Sequence, residues 1–333
     1  MLKTLAIETS CDDTSVGIIT FDGNIFETKK LLAYSQIDDH QQYGGVVPEI
    51  ASRLHSEKII KVISQIGFGE IDKIDFISVT THPGLPGSLV VGKAVANMLG
   101  EKFKKPIIEI NHIHGHIFSL FLERNISEIN FPMMVLTASG GHNDLYFVEN
   151  NLKQFNITRI GHTLDDAAGE CFDKVSRMLG GPYPGGGWIA SKALKGKPNT
   201  DFQFKRIFLS ADKFEFSFSG MKSQVSFLLK KLEKNKIKIT EKIICDIAYE
   251  FQEAVVEVLA KKLIKSGIKY KVQTLGIAGG VSCNDRLREY LNSELKNIKY
   301  PHIQTLKPTN KIYSTDNAAM IGVAGILKKL ETN

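Results

Sequence analysis

An α/β fold of two related lobes is what this sequence predicts, and three observations carry the prediction. Two β-hairpins with polar turns open about 130 residues apart. Strand-like and helix-like runs alternate after each of them. One late strand breaks directly into a Gly-Gly pair that precedes a helix.

Taken in order, residues 2–9 and 15–21 are β-rich runs parted by Ser10-Cys11-Asp12-Asp13-Thr14, a turn bearing hydroxyls and carboxylates. Residues 50–66 read as an amphipathic helix, 74–80 as a buried strand, 87–103 as a helix and 106–110 as a strand. The second hairpin pairs 133–137 with 144–148 across Ala138-Ser139-Gly140-Gly141-His142-Asn143. Its likeness to the first is one of pattern rather than identity, which predicts a duplicated lobe whose turns face a shared cleft. Residues 165–179 and 241–266 read as helices. The segment 196–215 has no clear period and is expected to be loop or insertion. Residues 275–278 form a strand that breaks into Gly279-Gly280-Val281-Ser282, and a helix follows at 284–296. The last helix, 316–330, opens on Thr315-Asp316-Asn317, which suits an N-cap.

The 333 residues are 43% hydrophobic and 23% charged, an ordinary globular composition with material for two cores. The net charge of +6, from 42 basic and 36 acidic residues, weakly favours an anionic partner such as nucleic acid. A solvated lysine-rich surface accounts for it equally well. Cys11, Cys171, Cys245 and Cys283 form no CxxC and read as free thiols of a reducing compartment. The first residues lack the apolar core and cleavage site of a signal peptide, and no apolar run is long enough to span a membrane. The expectation is a cytoplasmic enzyme or binding protein with no membrane partner.

His112 and His116, in Asn111-His112-Ile113-His114-Gly115-His116, lie at i and i+4 and so share one helix face. Both imidazoles can reach one metal ion, and Asp316 could complete the set or serve only as a helix cap. Neutral imidazole with carboxylate suits zinc or ferrous iron. His114 points off the shared face. A zinc-protease helix needs Glu directly after its first His, and here Ile113 stands there, so metal-assisted hydrolysis is disfavoured.

Small and hydroxyl residues let backbone N–H groups approach an oxyanion. Ser139-Gly140-Gly141 is such a turn, and Gly279-Gly280 before a helix N-terminus is another. Together they describe a nucleotide cleft. Asp165, Asp166, Glu170 and Asp173 put four carboxylates on one expected helix, more than a buried helix tolerates without partners. The loop Tyr183-Pro184-Gly185-Gly186-Gly187 follows, and a helix plus loop could bring Asp173 and Gly186 to one ligand.

These motifs, in this order, resemble the tRNA threonylcarbamoyl-transferase family known as TsaD or Gcp, formerly called O-sialoglycoprotein endopeptidase. The matches are Ile7-Glu8-Thr9-Ser10-Cys11-Asp12-Asp13-Thr14, Gly44-Gly45-Val46-Val47-Pro48-Glu49, the His112/His116 helix, Ser139-Gly140-Gly141-His142 and Asp165-Asp166-Ala167-Ala168-Gly169-Glu170. Further matches are Phe172-Asp173-Lys174, Tyr183-Pro184-Gly185-Gly186, Phe216-Ser217-Phe218-Ser219-Gly220, Gly279-Gly280-Val281 and Ser314-Thr315-Asp316-Asn317. The resemblance implies the actin, sugar-kinase and Hsp70 (ASKHA) fold, two related lobes around a nucleotide cleft. Lobe one would be 1–130, completed by the C-terminal helix 316–333, and lobe two 131–315.

It also implies a reaction: transfer of threonylcarbamoyl from threonylcarbamoyl-AMP to the N6 amine of the adenosine just 3′ of the anticodon, in tRNAs reading codons that begin with A. Family metal ligands map onto His112, His116 and Asp316, for one divalent ion, Fe2+ or Zn2+. Family positions that hold the adenylate map onto Thr137, Ala138, Ser139, Gly140, Gly141, Asp173, Gly186 and Asn284. The implied partners are tRNA, a paralogous TsaB-type protein and a small TsaE-type ATPase. An exocyclic amine is a weak nucleophile, so an acyl adenylate, a Lewis acid and oxyanion-binding N–H groups form a coherent set. Asp12 is the candidate to take the amine proton. Departures from the family pattern fall at His82, Pro86, Asn143 and Trp188, none of them a proposed ligand. The rival readings are a non-catalytic nucleotide-binding scaffold and a sugar-kinase-like phosphotransferase, for which no catalytic Asp or sugar pocket can be assigned.

Overall fold

The structure is a computed structural model, and it describes residues 1–151, 154–207, 209, 213–298 and 302–332. The chain divides into two compact units. The first comprises Met1–Asn130, Leu152–Gln154 and Lys307–Asn333, the second Phe131–Asn151 and Phe155–Leu306.

The first unit opens with β1 (Leu2–Glu8), β2 (Asp13–Phe21) and β3 (Phe26–Ser35), an antiparallel meander. There follow α1 (Ile37–Gln41), α2 (Pro48–Ile66), α3 (Phe68–Ile71), β4 (Phe76–His82), α4 (Pro86–Phe103), β5 (Ile107–Asn111) and α5 (His112–Phe118). The sheet order is β3-β2-β1-β4-β5, with β4 parallel to both β1 and β5. The central strand β1 is apolar on both faces because both are covered. Leu5, Ile7, Ile77 and Val79 pack with Ile59, Val62, Ala96 and Leu99 from α2 and α4. Both helices carry proline in their first turn, where its missing N–H costs nothing.

The second unit repeats this plan. It comprises β6 (Met133–Ala138), β7 (Asn143–Asn150), β8 (Phe155–His162), α6 (Ala168–Met178), α7 (Gly186–Ala193), α8 (Ser219–Lys234), α9 (Glu241–Lys269), β9 (Thr274–Ala278), α10 (Asp285–Asn297) and β10 (Gln304–Leu306). Its sheet runs β10-β9-β6-β7-β8, with β6 antiparallel to β7 and parallel to β9. Strand for strand this is the topology of the first sheet, so the duplication expected from the hairpins is present. Helix α9 is buried on most sides, and its buried residues include Asp246, Glu250 and Lys262 beside the apolar ones. Its Phe251 is wholly buried, and burial of such a side chain contributes roughly 2–3 kcal/mol. The chain then returns to the first unit with α11 (Ala318–Glu331), which packs on β1, β2, β4, β5 and α5.

Several expectations need correction. Strands β3 and β8 were not foreseen. Both are edge strands with mixed burial, so neither shows a clean two-residue period. The helix expected at 165–179 begins only at Ala168, and Asp165 and Asp166 stand outside it. Gly186 starts helix α7 instead of lying in a loop. Helix α11 starts at Ala318, and its cap is Asn317, whose Oδ1 accepts from the Met320 N–H at 3.0 Å. Asp316 is therefore released from capping. The described part of 196–215 holds one short 3-10 turn, Thr200–Phe202, and Phe216 beyond it bridges to Thr163.

Asp165 explains part of the carboxylate excess. It accepts from the Ser217 and Ser219 hydroxyls, both at 2.6 Å, and from the Phe218 and Ser219 N–H groups at 2.8 and 3.2 Å. Burial raises its pKa, but these four donors outweigh that and hold it below the usual carboxylate range. A depressed carboxylate contributes stability above its unfolded pKa and loses it as pH falls through the folded one. Asp165→Asn is thus expected to be less stable than wild type at pH 7, by on the order of 1 kcal/mol after solvent screening. The gap should close below about pH 4. Thermal melts of both proteins across pH 3 to 8 check this.

Candidate metal centre and glycine turns

The candidate metal centre is assembled in the first unit from three segments. Asn111 ends β5 and caps α5, its Oδ1 accepting from Ile113 N at 2.8 Å and His114 N at 3.3 Å. That cap sets the helix phase, so His112 and His116 leave the same face with ring centroids 4.6 Å apart. Both are buried, at 4% and 2% exposure. Asp316 approaches from the segment before α11. Its Oδ1 lies 3.5 Å from His112 Nε2 and 3.1 Å from His116 Nε2.

Two observations decide what this trio can hold. Neither ring nitrogen of His116 has a hydrogen-bond partner among the described residues, although Nε2 is close to Asp316. A buried imidazole without a partner is costly unless something else occupies its lone pair. On His112 the Nδ1 edge is taken, 3.0 Å from Ser10 Oγ and 3.3 Å from Glu8 Oε2, which turns Nε2 toward Asp316. One ligand atom from each of His112, His116 and Asp316 lies within 4.8 Å of the others, a group that could hold a metal ion. Two imidazoles and one carboxylate suit a first-row divalent cation.

The electrostatics favour a cation. Burial disfavours charge on His112, but Asp316 and Glu8 more than offset it and push its pKa up to about 9. In the β1–β2 turn, burial pushes Asp13 up to about 7 and raises Asp12 as well, with the charge of Asp316 adding to both. Burial and Asp12 also push the Cys11 thiol up, which leaves it no thiolate for nucleophilic work.

The glycine turns belong to the second unit. Thr137 and Ala138 close β6 and are buried, while Gly140 and Gly141 are exposed. The turn is held by Ser139 N donating to His142 O at 2.8 Å. Helix α6 abuts it through Gly169, whose N–H donates to Ser139 O at 3.1 Å. A Cβ on Gly169 would stand 2.5 Å from that oxygen and 2.8 Å from Gly140 N, so no other residue fits. Gly279 has φ +84 and would strike Ala138 in the same way. The carboxyl ends of β6 and β9 thus meet a helix N-terminus, where α/β folds present N–H groups to anions. Asp173 Oδ1 accepts from Gly185 N at 2.6 Å and so fixes the start of α7 at Gly186. Asn284 caps α10 and donates to Gln252 Oε1 at 3.0 Å.

The family model "TsaD: tRNA N6-adenosine threonylcarbamoyltransferase" matches residues 29–323. The chain belongs to this family. A relative of that name from Syntrophomonas wolfei is 43% identical over 321 residues, 95% of this chain and 89% of its own. Others from Staphylococcus epidermidis and Staphylococcus aureus are 44% and 42% identical over 96% of this chain and 90% of theirs. The TsaD-family chain is therefore an acyltransferase of tRNA threonylcarbamoyladenosine modification. Two solved structures share its fold at low identity. HypF of T. kodakarensis matches with TM-score 0.58 and 13% identity, over 99% of this chain and 48% of that one. Full-length HypF in the phosphate- and nucleotide-bound form matches with TM-score 0.60 and 15% identity, over 100% and 47%. The chain spans about half the length of these HypF chains, and the likeness shows the fold alone.

Sequence reasoning quoted Glu8 in a motif but gave it no role. The available signal was a carboxylate ending an apolar strand, where burial demands partners. Glu8 is fully buried, accepts from Ser10 N at 2.5 Å and from the Thr80 hydroxyl, and faces His112. His55 was also missed. It spans from Thr14 Oγ1 at 2.7 Å to Cys11 O at 2.9 Å and so braces the turn that carries Asp12.

A carboxylate behind a metal-ligating histidine fixes its tautomer. Glu8→Ala is expected to weaken metal affinity by roughly 10- to 100-fold, read by chelator competition. Gly169→Ala should cost about 1–3 kcal/mol in chemical denaturation, because the collision is with backbone rather than a movable side chain.

Proposed function

We propose that the acyl donor is threonylcarbamoyl-AMP and the acceptor the N6 amine of the adenosine just 3′ of the anticodon. The metal held by His112, His116 and Asp316 is iron or zinc in this reading. The observation that carries it is the pair of buried imidazoles facing one carboxylate, with His116 lacking any hydrogen-bond partner among the described residues. A bound divalent cation supplies Lewis acidity toward the oxygens of an acyl adenylate.

Each remaining group has an assigned task. Glu8 and Ser10 hold His112 Nδ1, so that Nε2 is the ligand atom. Asp12, half-buried and with its pKa raised chiefly by burial, takes the proton that the amine loses. The N–H groups of Gly140 and Gly141 donate to phosphate oxygens, with Ser139, whose N–H closes the turn on His142 O, and buried Thr137 and Ala138 as their support. Asp173, Gly186 and Asn284 complete the adenylate seat. The expected partners are tRNA, a paralogous TsaB-type protein and a TsaE-type ATPase, and the expected compartment is the cytoplasm. Support for these comes from family membership. No helix among the described residues is long and apolar enough to cross a membrane.

The test is a transfer assay with preformed threonylcarbamoyl-AMP, unmodified tRNA and the partner proteins. Wild type should form modified adenosine. His112→Ala should lose at least 100-fold in rate, the scale of one missing electrostatic stabiliser. Chelation should abolish transfer, and added Fe2+ or Zn2+ should restore it. Folded, metallated wild type that yields no product would overturn the assignment of donor and site.

A further inference from the structure

Helix α8 starts at Ser219, tied by Asp165 to the segment that leads into α6 and its contact with Ser139. Its inner face is Met221, Val225, Leu228 and Leu232, all buried. Phe227, Lys230, Lys231 and Lys234 fall on the opposite face and are exposed, Phe227 at 71%. Lys236 and Lys238 continue the exposed row into the connection to α9. Residues 230–238 carry five Lys against Glu233, a local charge of +4. None of the five lysines from 230 to 238 takes part in an ion pair among the described residues; the nearby pairs use Lys192, Lys222 and Lys242 instead.

The end of this helix adds a second observation. Lys236 adopts φ +57, and Ile237 N and Lys236 N donate to Leu232 O and Glu233 O, both at 2.9 Å. This is the helix stop in which glycine is the low-strain residue. Here a lysine stands at that position and keeps its charge in the row.

We propose that the Phe227–Lys238 face is where the phosphate backbone of the tRNA substrate docks. Unpaired cations beside an exposed aromatic ring match a polyanion with stacking bases. With a rise of about 1.5 Å per residue, Phe227 to Lys234 lie roughly 12 to 23 Å along the helix from Ser219. That reach covers several phosphates at about 3.4 Å each along one strand. The proposal rests on tRNA as substrate, and not on the assigned metal or acyl donor. The lysines act by positioning.

The test measures binding of unmodified tRNA directly, without turnover, by the full chain with its partner proteins across a salt series. The triple variant Lys230→Gln, Lys234→Gln, Lys238→Gln should bind at least ten-fold more weakly near 0.1 M salt. Its log–log salt slope should fall by about 2. In the transfer assay KM for tRNA should rise while kcat holds. Lys236→Gly should melt higher than wild type yet bind tRNA less tightly, which separates a docking loss from unfolding. Unchanged affinity and slope in the triple variant would overturn the proposal. So would wild-type tRNA binding that is insensitive to salt, or lost capture of a partner protein with tRNA affinity intact.

Discussion

A carboxylate buried without exposure must find donors, and Glu8 at the end of the central strand finds them in three different segments. An isolated ion there would cost several kcal/mol. Ser10 N comes from the following turn, the Thr80 hydroxyl from β4 and His112 from α5. Satisfying one charge therefore fixes the turn that carries Asp12, the pairing of β1 with β4, and the ring of His112. The position of Asp316 gains meaning from this arrangement, because His112 Nε2 can point only one way once Nδ1 is occupied.

The two units share a topology but put it to different use. In the first sheet the central strand β1 ends on a carboxylate, and the chemistry that gathers there suits a cation. In the second sheet the equivalent strand β6 ends on Ser139 and two glycines, and the chemistry suits an anion. A few residues at a strand end are enough to reverse the charge a fold prefers, since the scaffold beneath them is the same.

Much of this was legible in the sequence. Both hairpins and the i, i+4 histidines carry clear periodic signals, and those signals depend only on local geometry; α9 was legible from its long run of helix-forming residues. The glycine turns and Asp316 were visible as candidates, but their assignment to one adenylate seat and one ligand set came through resemblance to a family, because contacts separated by 200 residues leave no periodic trace. What stayed hidden has physical reasons. Edge strands β3 and β8 lack a fully buried face, and register shifts at Ile18/Ile19 and Leu145/Tyr146 interrupt the pairing around them. Helix α7 begins with glycines, which carry no helix signal. Asp316 and Asn317 are both good caps by type, and only the hydrogen bond to Met320 N tells them apart. Asp165 looked like one more helix acid, although its partners lie more than 50 residues away.

The return of α11 to the first unit has a bearing on how the protein comes into being. Two imidazoles are in place once α5 has formed, but Asp316 is synthesised about 200 residues later. The whole second unit emerges from the ribosome in between. During that interval the two histidines lack Asp316. Occupation of this trio by a cation would therefore be a late event, coupled to the closing of the chain rather than to the folding of the helix that bears two of its three side chains.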